Sequence, residues 1–170
     1  NFTLNNLNVV KINIPYWLMN SEELESLFIE SNEMNSHNQI SQFKRAVILS
    51  KEKHNPGKKI TYDMPVYFDI KEVYNFIYNL NCEVVSKIDE EYGKPKLKNG
   101  HLIENITEYL DATYDFVPNS TASATKASNG PFNGEFDRFL TRIETKLNDN
   151  RLNFITNPKK EDGTEFKTED

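Results

Sequence analysis

Cysteine, glycine, histidine and arginine are all scarce in this chain, and each shortage excludes a class of chemistry. Cys82 is the only cysteine, which rules out an internal disulfide framework and a zinc site built on several thiolates. The six glycines fall in no phosphate-cradling pattern. Gly57-Lys58-Lys59 has no upstream glycine and no hydroxyl after the lysine, and Gly130-Pro131-Phe132-Asn133-Gly134 has no lysine. The three histidines, His37, His54 and His101, are far apart and fall at predicted helix ends, where capping is the plain reading and ligation would need the fold to gather them. No apolar run approaches the roughly 18 residues of a membrane span. No basic stretch followed by an apolar core and a small-residue cleavage site marks a signal peptide.

A core is affordable nonetheless. The chain has 170 residues, 37% of them hydrophobic, with eleven Phe and eight Tyr. Each buried aromatic removes on the order of 150–250 Å² from water, which argues against disorder for most of the chain. The net charge of −6 disfavours a free-standing DNA or membrane-surface binder, because such proteins carry an excess of Lys and Arg. Weak DNA binding by the chain alone is therefore expected.

Periodicity gives a mainly α architecture, a bundle of about five helices framed by a short strand at each end. Residues 7–14 alternate, with Val10, Ile12 and Ile14 on one face, and Pro15 ends the strand. Asn20 and Glu23 form a capping box for a helix over about 21–32. A second helix fits 36–54, with Ile40, Phe43 and Val47 on one face and Lys51, Lys53 and His54 near its negative end. Residues 58–68 alternate weakly, as a short strand or an extended crossing. Asp69 and Glu72 signal a third helix running to about 91, since Val73, Phe76, Ile77, Leu80, Val84 and Ile88 keep helical spacing. A fourth is expected over 100–113, and a fifth over 134–148 with Asn133 as cap and Phe136, Phe139, Leu140 and Ile143 inward. Leu152 and Phe154 alternate in a closing strand, 151–156. The polar stretch 118–134, with Lys126 its only charge, shows no secondary-structure pattern. Such a stretch is either functional or a mobile surface loop.

No nucleophile–base pair or carboxylate pair stands out. Cys82 lies among apolar helix residues and reads as a packed, inert thiol. Arginine is confined to Arg45, Arg138, Arg142 and Arg151, and surface ion pairing is the plain reading for the last three.

Three stretches carry a resemblance. The first is Asn13-Ile14-Pro15-Tyr16-Trp17-Leu18-Met19-Asn20-Ser21-Glu22-Glu23-Leu24-Glu25-Ser26-Leu27-Phe28, with Asn38-Gln39-Ile40-Ser41-Gln42-Phe43-Lys44-Arg45-Ala46-Val47 after it. The second is Asn129-Gly130-Pro131-Phe132-Asn133-Gly134-Glu135-Phe136-Asp137-Arg138-Phe139, ending in Arg142-Ile143-Glu144-Thr145-Lys146-Leu147. The third is Arg151-Leu152-Asn153-Phe154-Ile155. Together they resemble the helical insertion of bacterial HerA-type ATPases, hexameric DNA translocases of the HerA/FtsK class. The resemblance implies that 1–19 is a strand and linker from a RecA-like core, 20–150 a helical bundle, and 151–170 a return strand and polar tail, the whole a piece of a longer chain. It implies a cytoplasmic parent that binds ATP and Mg²⁺, assembles as a hexamer on DNA, and works with a nuclease or sirtuin-like effector in DNA processing or antiphage defence. The parent's phosphate loop and metal-binding carboxylate would lie outside this chain, so no catalytic residue and no bound cofactor is expected here. Lys126, Arg138, Arg142 and Arg151 become candidates for contact with a neighbouring subunit or its nucleotide. A protein contact is favoured over a phosphate site, because Glu135 and Asp137 would repel an anion. The competing class is a stand-alone, non-enzymatic helical interaction module.

Overall fold

The computed structural model describes residues 14–159 and Thr164. Among these the chain is mainly helical, with five α-helices: α1 (Ser21–Phe28), α2 (Ser36–His54), α3 (Ile70–Cys82), α4 (Asp137–Leu147) and α5 (Asn153–Thr156). One small antiparallel sheet joins β1 (Val84–Ser86) to β2 (Ala127–Asn129), with Val84 opposite Asn129 and Ser86 opposite Ala127.

The first three helices follow from local rules. The Asn20 side chain accepts from the Glu23 amide (3.0 Å) and the Glu23 carboxylate accepts from the Asn20 amide (3.0 Å), so α1 starts on a reciprocal cap. It stops at Phe28, short of the expected 32, because Ile29 turns extended. Leu24 and Phe28 face inward, and the rings of Phe28, Phe43, Phe139 and Phe136 follow one another through the core at 5.7, 6.0 and 6.4 Å. Helix α2 matches its expected span. Its end is closed by the Asn55 side chain, which donates to the carbonyls of Lys51 (2.8 Å) and Tyr67 (2.9 Å). Tyr16 precedes α1 yet is buried: its hydroxyl donates to the Phe68 carbonyl (2.9 Å) and accepts from the Ile70 amide (3.2 Å).

The 58–68 stretch is a crossing without a strand. Its backbone is held by the Lys51 ammonium, which donates to the carbonyls of Tyr62 and Met64. Asp69 caps α3 through the Lys71 amide (2.8 Å), but Glu72 does not complete a box, being engaged by α2 instead.

Four expectations need correction. The third helix ends at Cys82, not near 91, and Val84 and Val85 enter β1. A spacing of four, as between Val84 and Ile88, satisfies both the helical and the two-residue period, and the β-branched pair favours the strand. The helix expected over 100–113 is reduced to a 3-10 turn at Ile106–Leu110, with Leu102 bridged to Lys96 and Gly100 at φ +88° turning the chain between them. The polar stretch 118–134 contains β2, and Ser120 and Ala127 exchange backbone hydrogen bonds (3.2 and 3.0 Å). The closing strand at 151–156 is instead a 3-10 turn, Asn150–Leu152, running into α5. Asp149 accepts from the Arg151 amide (2.9 Å) and starts that turn. The opening strand, 7–14, lies outside the described residues except for Ile14.

Candidate functional site

The polar stretch is docked rather than loose. The Gly130 amide donates to the Glu83 carbonyl (2.8 Å), the Asn133 side chain to the same carbonyl (3.1 Å), and the Gly134 amide to the Asn81 carbonyl (2.9 Å). The open carbonyls at the end of α3 are thus closed by a segment some fifty positions away. Asn81 works in both directions. Its side chain accepts from the Phe136 amide (2.7 Å) and donates to the Asp137 carboxylate (2.7 Å), capping α4 from outside its own helix. This is why α4 begins at Asp137 and Asn133 is not its cap. A Cβ at Gly130 would run into the Glu83 carboxylate, so any larger residue there must displace that side chain.

Three asparagines of α3 hold the neighbouring irregular chain. Asn75 donates to the Leu110 carbonyl (3.1 Å). Asn79, fully buried, donates to the carbonyls of Tyr109 (3.1 Å) and Ala112 (2.7 Å) and accepts from the Tyr114 amide (2.8 Å); Asn81 completes the set at the helix end.

The four candidate residues fall in different settings. Arg142 is 15% exposed and ties α4 to the end of α1: it binds the Glu33 carboxylate, Glu30 (3.3 Å) and the Phe28 carbonyl (3.4 Å). The Gln39 amide, then Arg142, hold the Glu33 carboxyl below its ordinary range. One turn earlier, Arg138 lines an open cleft with Glu33, Met34, Glu135 and Asp137. Arg138 and Arg142 therefore meet the same turn between α1 and α2. Arg151 is 87% exposed and grips Asp149 through Nε (3.0 Å) and Nη2 (2.8 Å), which brings that carboxyl down to about 2. Lys126 precedes β2; its carbonyl accepts from the Lys87 amide (2.9 Å), its ammonium has no partner among the described residues, and it lines a cavity of about 300 Å³. Lys126 and Arg151 share no contact with the other two.

Two polar centres were missed in the sequence. The Glu72 carboxylate is nearly buried between Ser50, Lys53 (2.7 Å) and His54 (3.1 Å), and Lys53 continues to Asp111 (2.9 Å). This is not a hydrolytic triad. The Ser50 hydroxyl is fully buried and gives its proton to the carboxylate, not to the imidazole. Lys51 is wholly buried, with the Phe68 ring centre 5.6 Å from its ammonium; burial brings its amine down to about 8, partly opposed by Asp63. Both centres involve charged residues that a period count places on solvated helix faces. Burial also pushes the Cys82 thiol up, away from the nucleophilic thiolate. Among the described residues no three His, Cys, Asp or Glu side chains are placed to share a metal ion. No described helix is long and apolar enough to cross a membrane.

The incoming and outgoing chain meet. The Ile14 amide donates to the Phe154 carbonyl (2.9 Å), and Ile14, Leu18 and Phe154 are large apolar residues left exposed. No protein-family model matches the chain, and no curated protein matches it.

Proposed function

We propose that this chain is the helical insertion of a HerA-type, ATP-driven DNA translocase. The observation that supports it is the Ile14–Phe154 hydrogen bond: a unit hung from another core enters and leaves at one place. The exposed Ile14 and Phe154 at that junction, with Leu18 four residues on, suit burial against such a core. In this reading the parent is a cytoplasmic hexamer acting on DNA with a nuclease or sirtuin-like effector, in DNA processing or antiphage defence.

The residues of this chain do not fit a nucleotide site. Gly57-Lys58-Lys59 forms a turn with Gly57 at φ +79°, not a run of amides opening a helix. ATP and Mg²⁺ would be held by the parent's core, and this chain would contribute packing and neighbour contacts. Arg142 is largely buried against Glu33 of its own subunit, leaving the exposed Lys126, Arg138 and Arg151 as the residues for a neighbouring subunit.

The test is the complete reading frame and its product. The reading expects Gly-x-x-x-x-Gly-Lys-Ser/Thr upstream, an apolar strand ending in an acidic residue downstream, DNA-stimulated ATP hydrolysis by the whole product, and none by this chain alone. A frame with neither motif, or turnover that co-purifies with this chain, overturns it in favour of a stand-alone module.

A further inference from the structure

The cavity beside Lys126 differs from three other hollows among the described residues, each lined by at least one carboxylate. One of those is lined by Glu22, Glu25 and Glu30, another by Glu33, Glu135 and Asp137. The Lys126 cavity is lined by two lysines, Lys96 and Lys126, and by no carboxylate, in a chain of net charge −6. Its volume, about 300 Å³, lies at the lower end of the range for small-molecule sites, which are apolar clefts with a few placed polar groups. Ile88, Val117, Pro118 and Ala127 supply the apolar wall.

The walls are built before any ligand arrives. Ser120 and Ala127 are bonded to each other through both backbone groups, the Val117 amide donates to the Lys96 carbonyl (3.0 Å), and the Lys87 amide to the Lys126 carbonyl (2.9 Å). At the rim the Ser120 and Thr125 hydroxyls are bonded (2.9 Å), the Ala122 amide donates to Ser120 Oγ (3.2 Å), and the Thr125 amide to the Ala122 carbonyl (3.0 Å). A wall fixed in this way spares a ligand the cost of ordering it.

The two lysines are not equivalent. Lys96 is bound to Glu91 (2.6 Å), which also accepts from the Ser86 hydroxyl (3.0 Å). That carboxylate is held ionised by Lys96, so the pair is neutral. Lys126 has no ion-pair partner among the described residues and lines the same cavity as the apolar wall.

We infer that this cavity binds a small amphipathic carboxylate, its apolar body against Ile88, Val117 and Ala127 and its anionic end at Lys126. The inference goes beyond the translocase reading and does not depend on it, since no ring, nucleotide or DNA enters the argument.

The probes are 4-phenylbutyrate and its uncharged counterpart 4-phenylbutan-1-ol, titrated into the isotopically labelled protein and followed by amide shifts. Saturable shifts are expected within 86–88, 117–120 and 124–127. The carboxylate should bind about threefold tighter than the alcohol, the scale of one exposed ion pair. Lys126→Gln should abolish that preference and leave alcohol binding unchanged, and Ala124→Trp at the exposed rim should weaken both. Neither substitution touches the buried core, and the spectrum itself reports folding. The inference is overturned by shifts that do not saturate or that fall elsewhere, by equal affinity for the two probes, or by a preference that survives Lys126→Gln.

Discussion

Residues 14–82 and 83–136 build their structure by opposite means. In the first, α1 and α3 start on neighbouring side-chain caps, and the helices bury faces set by the helical period, as α1 does with Leu24 and Phe28. In the second, the only regular strand pairing is the three-residue sheet; the backbone is held partly by its own bonds, such as Ile103 to Pro95 and Val117 to Lys96, and partly from α3 by Asn75, Asn79 and Asn81. Both parts share one apolar core, to which the irregular part adds Leu97, Ile103, Tyr109 and Phe116; what sets it apart is backbone satisfied by the α3 amides. The contrast shows how an asparagine-rich chain keeps irregular backbone off water: α3 serves as core helix on one side and as a rack of amides on the other.

The largest effect should come from breaking the shared core. Phe139 is fully buried against Phe43 and Phe136, and Phe139→Ala should cost about 3–5 kcal/mol in urea unfolding, with loss of protection in both parts. Asn79→Ala separates them. It orphans two carbonyls and an amide and should cost roughly 2–4 kcal/mol. Hydrogen exchange should then rise across 105–116 while α2 stays protected. Equal loss of protection in α2 would dissolve the distinction. Gly130→Ala is a finer probe. The new methyl must displace Glu83, whose carboxylate accepts from the Tyr109 hydroxyl (2.6 Å), at a cost of about 1–3 kcal/mol.

The helical part also has a pH signature of its own. The Lys51 amine is at about 8 in the folded chain and about 10.4 when unfolded. The folded state therefore binds fewer protons between these values, and stability should climb as pH rises through that window. Above about 10 the sign reverses, because the unfolded chain loses phenolic protons that burial keeps on Tyr16, Tyr62 and Tyr109. Lys51→Met should flatten the climb and leave the fall, measured as urea midpoints across pH. Least of all, Arg151→Ala removes the pair between an exposed guanidinium and Asp149 and should leave the urea midpoint essentially unchanged.

This division also explains what the sequence disclosed. The α1 capping box, the span of α2 and the burial of Phe76 and Phe139 all rest on residues within a few positions of each other, so spacing reveals them. The overlong α3 and the unstructured reading of 118–134 fail on one pairing, since Val84–Ser86 meets a strand more than forty positions later; the helix expected at 100–113 gives way to the Lys96–Leu102 bridge and the turn at Gly100. The closing strand failed for a local reason: Asp149 caps a turn that outweighs the alternation of Leu152 and Phe154. Of the candidate residues, the Arg142 ion pair was foreseen in kind. Its burial was not, nor was the isolation of Lys126 at a cavity, since both need the path of a second segment.

Asn81 carries a consequence for the order of events as the chain folds. Helix α4 has 11 residues, too short to hold alone in water, and its first turn is completed by a side chain on α3. Until the chain between them has closed into a loop, α4 lacks its cap and α3 lacks partners for its last carbonyls. The two ends are thus completed in one late, entropically costly step. Asn81→Ala should accordingly speed unfolding more than it slows folding, a split that stopped-flow measurements in urea read directly.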